Sequence, residues 1–371
     1  MRTMGADAVP GAPPRTILVV CTRRIGDVLL VTPLVRSLKR AWPQATVDVM
    51  VFRGTEGVLA GNPDVTRVLA VGERDGIGVR LGTFRDTWRR YDLACSAQTS
   101  DRTTLYAWAA GRRRVGLLDP DKAPAWKRAL LHRWAPFDNL RVHTVVASLA
   151  LCDLLGIARR YEVVVGMGDA DVREAAALIP RGSLHAVLHV TPKFPYKGWT
   201  VEGWTRLATW LSSEGLRPIV CAGAEDAERR YVADLCRGVP GAVDAAGRLS
   251  LGGVGALIAT SRLYIGTDTA VTHLAAATGV PTLALFGPSN PVKWGPWPAG
   301  CITEPSPWQR VGTQRAGNVT LLQGEAECVP CLLEGCDRHV NSLSRCLQEM
   351  RPERVIREAK ALLAGAPPAA G

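Results

Sequence analysis

The sequence predicts an α/β protein of two doubly wound, Rossmann-like domains in series. Three observations carry that expectation. Short, β-branched apolar runs read as buried parallel strands, helices of 3.6-residue apolar spacing lie between them, and the same rhythm restarts past the middle of the chain. At 371 residues the chain is comfortable for two domains, and its 47% apolar content suffices for two cores.

Thr16–Cys21 (TILVVC) is the first such strand. It passes through a turn at Gly26 into a helix predicted over Val28–Ala41, with Val28, Val31, Leu34, Val35 and Leu38 on one face and Pro43 beyond its end. Thr46–Phe52 is again a strand, completing a βαβ unit. Val65–Val71 and Leu93–Ser96 are further strands, and Gly156 stops an apolar helix over Val142–Leu155. Ala158–Ser183 is weakly patterned and reads as the boundary region. Beyond it come a strand (Ala186–Val190), a helix (Val201–Glu214), a strand (Arg217–Ala222), a helix (Val254–Thr260), a strand (Leu263–Ile265), a helix (Val271–Ala277) and a strand (Thr282–Phe286). The run Gly252-Gly253-Val254-Gly255 reads as a loop. The expected organisation is a disordered tail over 1–14, a first domain over 15–165, a second over 166–350, and a C-terminal helix over 351–371 that returns to the first domain and ends in a tail. Ligands of such sheets bind at the carboxyl ends of the strands, so the site is expected in the cleft between the domains.

The formal net charge is +11, mostly from arginine, which calls for an anionic partner: nucleic acid, a phosphorylated glycolipid or an acidic leaflet. No RNA-binding motif is visible and aromatic interleaving is thin, so nucleic acid is not expected. No run approaches the roughly eighteen apolar residues of a membrane span, and the first fourteen residues lack the apolar core of a signal peptide. A cytoplasmic location with ten reduced cysteines follows as the expectation. The Walker A pattern is absent.

Five segments carry chemistry. Asp27 follows a buried strand near a helix N-terminus, where a carboxylate serves as a helix cap, a catalytic base or both. Gly266 to His273 (GTDTAVTH) leaves another strand and opens a helix whose free N–H groups suit a diphosphate, with Thr267, Thr269 and Thr272 as hydroxyl donors. Thr191 and Lys197, in the loop after the first strand of the second domain, suit phosphate oxygens, although an exposed loop with solvated lysines fits as well. Glu225 and Asp226 follow a strand, as a ribose-binding carboxylate does, or simply start a helix. Cys328, Cys331, Cys336 and Cys346 can form a structural thiolate site for Zn or Fe, but the later spacings match no standard ribbon and unligated thiols fit equally.

Arg24-Ile25-Gly26-Asp27-Val28-Leu29-Leu30-Val31-Thr32-Pro33-Leu34 resembles the N-terminal signature of the bacterial lipopolysaccharide heptosyltransferases, the ADP-heptose type of glycosyltransferase family 9. Gly266-Thr267-Asp268-Thr269 with His273-Leu274-Ala275-Ala276, then Pro281 and Phe286-Gly287-Pro288, resembles the same family, and Lys197-Gly198-Trp199 with Glu202-Gly203-Trp204 resembles its donor loop. The similarity runs from about Ile17 to about Arg354.

The resemblance implies a GT-B fold and an inverting transfer of heptose from ADP-heptose without a catalytic metal. Asp27 then resembles the catalytic base, Thr191 and Lys197 the pyrophosphate contacts, Asp268, Thr269 and His273 the donor motif, and Glu225 or Asp226 the ribose ligand. Ala270 stands where the family usually has glycine, so its methyl group alters how closely a diphosphate approaches the backbone. The implied acceptor is a lipopolysaccharide core glycolipid at the inner leaflet, with the protein peripheral to that membrane. Its expected surface is the basic segment holding Arg102, Arg112, Arg113 and Arg114, followed by Lys127, Arg128 and Arg133 with Trp126 and Trp134; a solvated basic face fits the same residues. The cysteines resemble a cluster that binds iron in some protein-modifying members. A protein or small-molecule acceptor, or a nucleotide-sugar binding module without turnover, are the competing readings.

Overall fold

A computed structural model describes residues 12–180 and 182–365, so most of the expected tail over 1–14 and the last six residues lie outside it. The chain divides into two compact units. One runs to Gly166 and takes in Ile302–Ser306; the other holds Met167–Cys301 and the chain from Pro307 on.

The first unit is built on six parallel strands: β1 (Thr16–Cys21), β2 (Thr46–Phe52), β3 (Arg67–Val71), β4 (Tyr91–Ser96), β5 (Gly111–Leu118) and β6 (Arg133–Pro136). Their order is β3-β2-β1-β4-β5-β6. Its helices are α1 (Ile25–Leu30), α2 (Thr32–Ala41), α3 (Ile77–Thr87), α4 (Asp101–Ala110), α5 (Ala125–Leu130) and α6 (Thr144–Leu155). The single helix expected over Val28–Ala41 is broken at Val31. Pro33 cannot donate to the carbonyl of Leu29 and crowds it, and the Thr32 hydroxyl fills that carbonyl instead at 2.7 Å.

The second unit repeats the design with β7 (His185–His189), β8 (Arg217–Cys221), β9 (Val243–Asp244), β10 (Leu263–Thr267), β11 (Thr282–Phe286), β12 (Gln314–Ala316) and β13 (Val319–Gln323), in the order β12-β13-β11-β10-β7-β8-β9. Only β12 is antiparallel. Its helices are α7 (Asp169–Leu178), α8 (Val201–Ser213), α9 (Asp226–Arg237), α10 (Leu251–Ala259), α11 (Ala270–Thr278), α12 (Pro291–Trp294), α13 (Arg345–Gln348) and α14 (Pro352–Ala364).

Among the parallel strands of each sheet the order reverses once, between β1 and β4 in the first unit and between β7 and β10 in the second. The connections leave in opposite directions there, and doubly wound sheets bind ligands at the carboxyl edge of such a reversal.

Two expectations are corrected, and the boundary region, which does hold the division at Gly166, gains a helix. The C-terminal helix does not return to the first domain: α14 buries Val355, Ala359 and Leu362, spaced i, i+4, i+7, in the core of the second unit beside Trp204 and Leu285. The glycine run is helix, not loop. Ser250 caps α10 by accepting the Gly253 N–H at 2.9 Å, and Gly252 lets α10 approach α7, where a side chain would strike the Asp171 carboxylate. The weakly patterned stretch contains α7 itself, capped through Asp171, whose carboxylate accepts the Gly168 N–H at 2.9 Å.

Candidate functional site

At the carboxyl edge of β7 and β10, two loops meet. The loop after β7 carries Thr191 and Lys197; the one after β10 carries Asp268 and Thr269, and the helix that follows, α11, carries Ala270 and His273. Lys197 Nζ donates to Asp268 Oδ2 at 2.6 Å. Burial alone would raise the Asp268 carboxyl, but the Lys197 ammonium, then His273 and a hydrogen bond from Ser289, hold it below its ordinary value. His273 is itself buried, which pushes its imidazole down to about 4 against the upward pull of Asp268. The imidazole is thus neutral at pH 7, and its Nδ1 has no hydrogen-bond partner among the described residues.

The Lys197 loop is held from behind. Trp199 donates from Nε1 to the Met350 carbonyl at 2.8 Å and packs edge-on against Trp204, centroids 5.0 Å apart. Gly203 is required under that indole, since a β-carbon would lie 2.5 Å from its ring atoms. Thr200 caps α8 by accepting the Gly203 N–H at 3.0 Å. The two Gly-Trp pairs are therefore packing elements that aim Lys197.

The threonines after β10 divide. Thr267 and Thr272 are buried, and Thr272 spends its hydroxyl on the Thr267 carbonyl and on Tyr264 Oη. Gly266 makes room for this, because a β-carbon would sit 2.2 Å from Tyr264 Oη. Thr269, the N-cap residue of α11, and Ala270, its first residue, remain partly exposed. Their backbone and the first-turn N–H groups of α11 are what an anionic ligand can reach.

Glu225 and Asp226 are exposed at the start of α9, Glu225 as its N-cap residue, so the helix-start reading describes their local role. Sequence reasoning missed Glu228. Its carboxylate accepts the Thr191 hydroxyl at 3.0 Å and lies over Gly223, where a β-carbon would meet Oε2 at 2.2 Å. The spacing of Glu228 three residues after Glu225 is the signature of a capping box, which could have flagged it.

In the first unit, Asp27 is the third residue of α1 and is 6% exposed. It does not cap the helix: Arg24 holds that position with no side-chain cap, and Asp27 lies in the first turn with Arg23 Nε 3.7 Å from Oδ1. The Cys21 thiol at the end of β1, raised by burial, is raised further by the Asp27 charge, and Gln98 from the β4 loop donates to it at 3.7 Å. Asp27 and Gln98 therefore stand on either side of the strand-order reversal.

The four arginines do not form one surface beside Asp27. Arg102, in the first turn of α4, is at the carboxyl edge; it donates to the Glu73 carbonyl at 2.9 Å and lies over Phe52, 5.0 Å from the ring centroid. Arg112, Arg113 and Arg114 begin β5 and pair with the start of β4, at the amino edge. There Arg113 donates to the Ala12 carbonyl at 2.8 Å, Arg112 to the Arg89 carbonyl at 3.2 Å, and Arg114 pairs with His132. Parallel strands put the start and the end of a sheet on opposite sides, which sequence proximity to Arg102 concealed. Lys127 is buried, donating to the Thr99 carbonyl at 2.7 Å and pairing with Asp101.

Of the two readings of the cysteines, the geometry of the described residues supports unligated thiols. Among the described residues no group of three or more His, Cys, Asp or Glu is placed to hold a metal ion. Burial, then the neighbouring Cys331, Cys328 and Cys336, push the Cys346 thiol up to about 12, so the four share one neighbourhood. They are divided between environments, however: Cys346 is buried at α13, while Cys328 and Cys336 face solvent.

The family model of glycosyltransferase family 9 (heptosyltransferase) matches residues 87–303. Lipopolysaccharide heptosyltransferase 1 of Pseudomonas aeruginosa is 28% identical over 375 residues, spanning 94% of this chain and 98% of that protein. Among solved structures, the family 9 glycosyl transferase from Veillonella parvula aligns with a TM-score of 0.75 at 18% identity, covering 94% of this chain and 97% of that one. E. coli heptosyltransferase WaaC with ADP aligns with a TM-score of 0.68 at 20% identity, covering 94% and 99%. The fold is GT-B, as the sequence predicted. The match to more than half its length makes the chain a glycosyltransferase that belongs to family 9, the heptosyltransferases.

Proposed function

We propose that the protein transfers heptose from ADP-heptose to a lipopolysaccharide core saccharide with inversion at the anomeric carbon, at the cytoplasmic face of the inner membrane. The observation that carries this reading is the Lys197–Asp268 pair beside the open N-terminus of α11, at the strand-order reversal of the second unit. It is supported by the solved E. coli relative with ADP and by the lipopolysaccharide heptosyltransferase named among the relatives.

In this reading Lys197, the N-cap residue Thr269 and the first-turn N–H groups of α11 from Ala270 on take the diphosphate, and Thr191 is a further contact. Asp268 orients Lys197, leaving two ammonium hydrogens for phosphate oxygens. Neutral His273 adds no competing charge, and Glu225 or Asp226 takes the ribose hydroxyls. Arg102 serves the acceptor. Asp27 accepts the proton of the acceptor hydroxyl as its oxygen attacks the anomeric carbon. The bond to the diphosphate breaks, ADP leaves, and its developing charge is offset by Lys197 and the helix N-terminus, so the reading calls for no catalytic metal.

The test pairs calorimetry of ADP, GDP and UDP with a transfer assay from ADP-heptose to core saccharide. ADP should bind most tightly. Asp27→Asn should lower turnover by about 10²–10⁴-fold with ADP affinity unchanged. Full turnover in Asp27→Asn removes the base assignment, and preference for another nucleotide removes the donor.

A further inference from the structure

We propose that the outer face of α3, continued by Trp88 and α4, is a docking surface for an acidic bilayer leaflet. This rests on the reading of the acceptor as a membrane glycolipid and names the part of the chain that meets the membrane.

A helix on a sheet ordinarily turns its apolar stripe inward. α3 turns Phe84 inward, stacked on Tyr106 of α4 with centroids 5.1 Å apart, and buries Thr87. Yet Ile77 is 80% exposed and Leu81 61%, one turn apart on the outward side. Arg85 continues that stripe at i+8, and Trp88 at i+11, past the helix end, is 49% exposed. Trp88 packs edge-on against Trp108 of α4 at 5.3 Å, with the Arg89 guanidinium 5.5 Å from its ring centroid. Apolar groups, tryptophan and arginine thus alternate on one outer face.

Two physical facts select the occupant. The basic charge lies beside Trp88: Arg89 donates to the Gly111 carbonyl at 2.8 Å and Arg112 to the Arg89 carbonyl at 3.2 Å, so the amino-edge arginines Arg112, Arg113 and Arg114 adjoin the end of α3. A positive field of this kind is attracted to anionic lipid headgroups. Tryptophan with one apolar face and one polar edge is suited to the headgroup boundary, and an exposed aliphatic stripe among basic groups is the pattern of an interfacial helix. No helix among the described residues is long and apolar enough to cross a membrane, and the eleven residues of α3 would lie along the surface.

The experiment is co-sedimentation of the full chain with vesicles of phosphatidylethanolamine and phosphatidylglycerol, against phosphatidylcholine alone. The wild type should sediment with the anionic vesicles and be released by salt. The double variant Ile77→Asp/Leu81→Asp, at two exposed positions, should lower the partition coefficient about tenfold or more, with circular dichroism and ADP affinity unchanged. Arg85→Glu/Arg89→Glu should weaken anionic binding most at low salt. Equal partition of the Ile77/Leu81 variant and the wild type overturns the proposal. So does failure of the wild type to bind either vesicle, or a dimer that the variant dissociates, which would make the face a protein interface. Transfer to a water-soluble core saccharide separates the two readings. It should be unaffected in the variant, and its absence in a wild type that still binds vesicles would remove the function and leave the docking surface.

Discussion

Lys197 and Asp268 lie on loops from two adjacent strands, β7 and β10, and their side chains meet at 2.6 Å. Asp268 is buried and Lys197 is partly so, and the pair closes the carboxyl edge of the second sheet where the strand order reverses. The contact makes Lys197 both a ligand candidate and a counter-ion.

Removing one partner should therefore do two things. Lys197→Ala leaves the Asp268 carboxylate uncompensated and should cost about 3 kcal/mol of stability, read by urea unfolding. It should also weaken ADP binding about tenfold or more. Lys197→Ala/Asp268→Ala should recover most of the stability and none of the affinity. A double variant that binds ADP as the wild type does would show that the pair is structural only.

Stability should fall in mild acid. His189 and His273 are both pushed down to about 4 by burial. In the unfolded chain each titrates near the ordinary value of 6.5. Between those values the unfolded state binds more protons, so stability is fully present above pH 6.5 and is lost as pH falls toward 4. The loss is on the order of 3 kcal/mol per imidazole. Unfolding midpoints measured across this range should drop, and His273→Asn should flatten part of the slope.

Gly203→Ala should destabilise by about 2 kcal/mol, because the added methyl meets the Trp199 indole, which is fixed by Met350 and Trp204. Scanning calorimetry reads the loss. ADP affinity should fall with it, since Trp199 lies two residues from Lys197. An unchanged midpoint would mean that the indole yields.

Thiol accessibility should sort by burial. Iodoacetamide followed by mass spectrometry should label Cys328 and Cys336 first, because both face solvent. Cys152 and Cys221, whose thiols burial pushes up to about 12, should react only on unfolding. Early labelling of Cys221 would contradict the packing of β8.

The sequence by itself determined what depends on neighbours along the chain. The apolar run of β1 and the strand–helix passages at Asp27 and Asp268 are written in contiguous residues, because strand and helix periods are local properties. Contacts among distant segments were decided only by the tertiary structure. Thr191 meets Glu228 because β7 pairs with β8, and Arg112–Arg114 sit away from Arg102 because a parallel strand begins on one side of its sheet and ends on the other. The reversal between β7 and β10 brings Lys197 to Asp268, 71 positions away. α14 joins the second unit because its Val355–Ala359–Leu362 stripe fits that core. Periodicity tells a helix which face to bury but carries no information on which core receives it, since apolar burial is non-directional and only shape and connectivity select the partner.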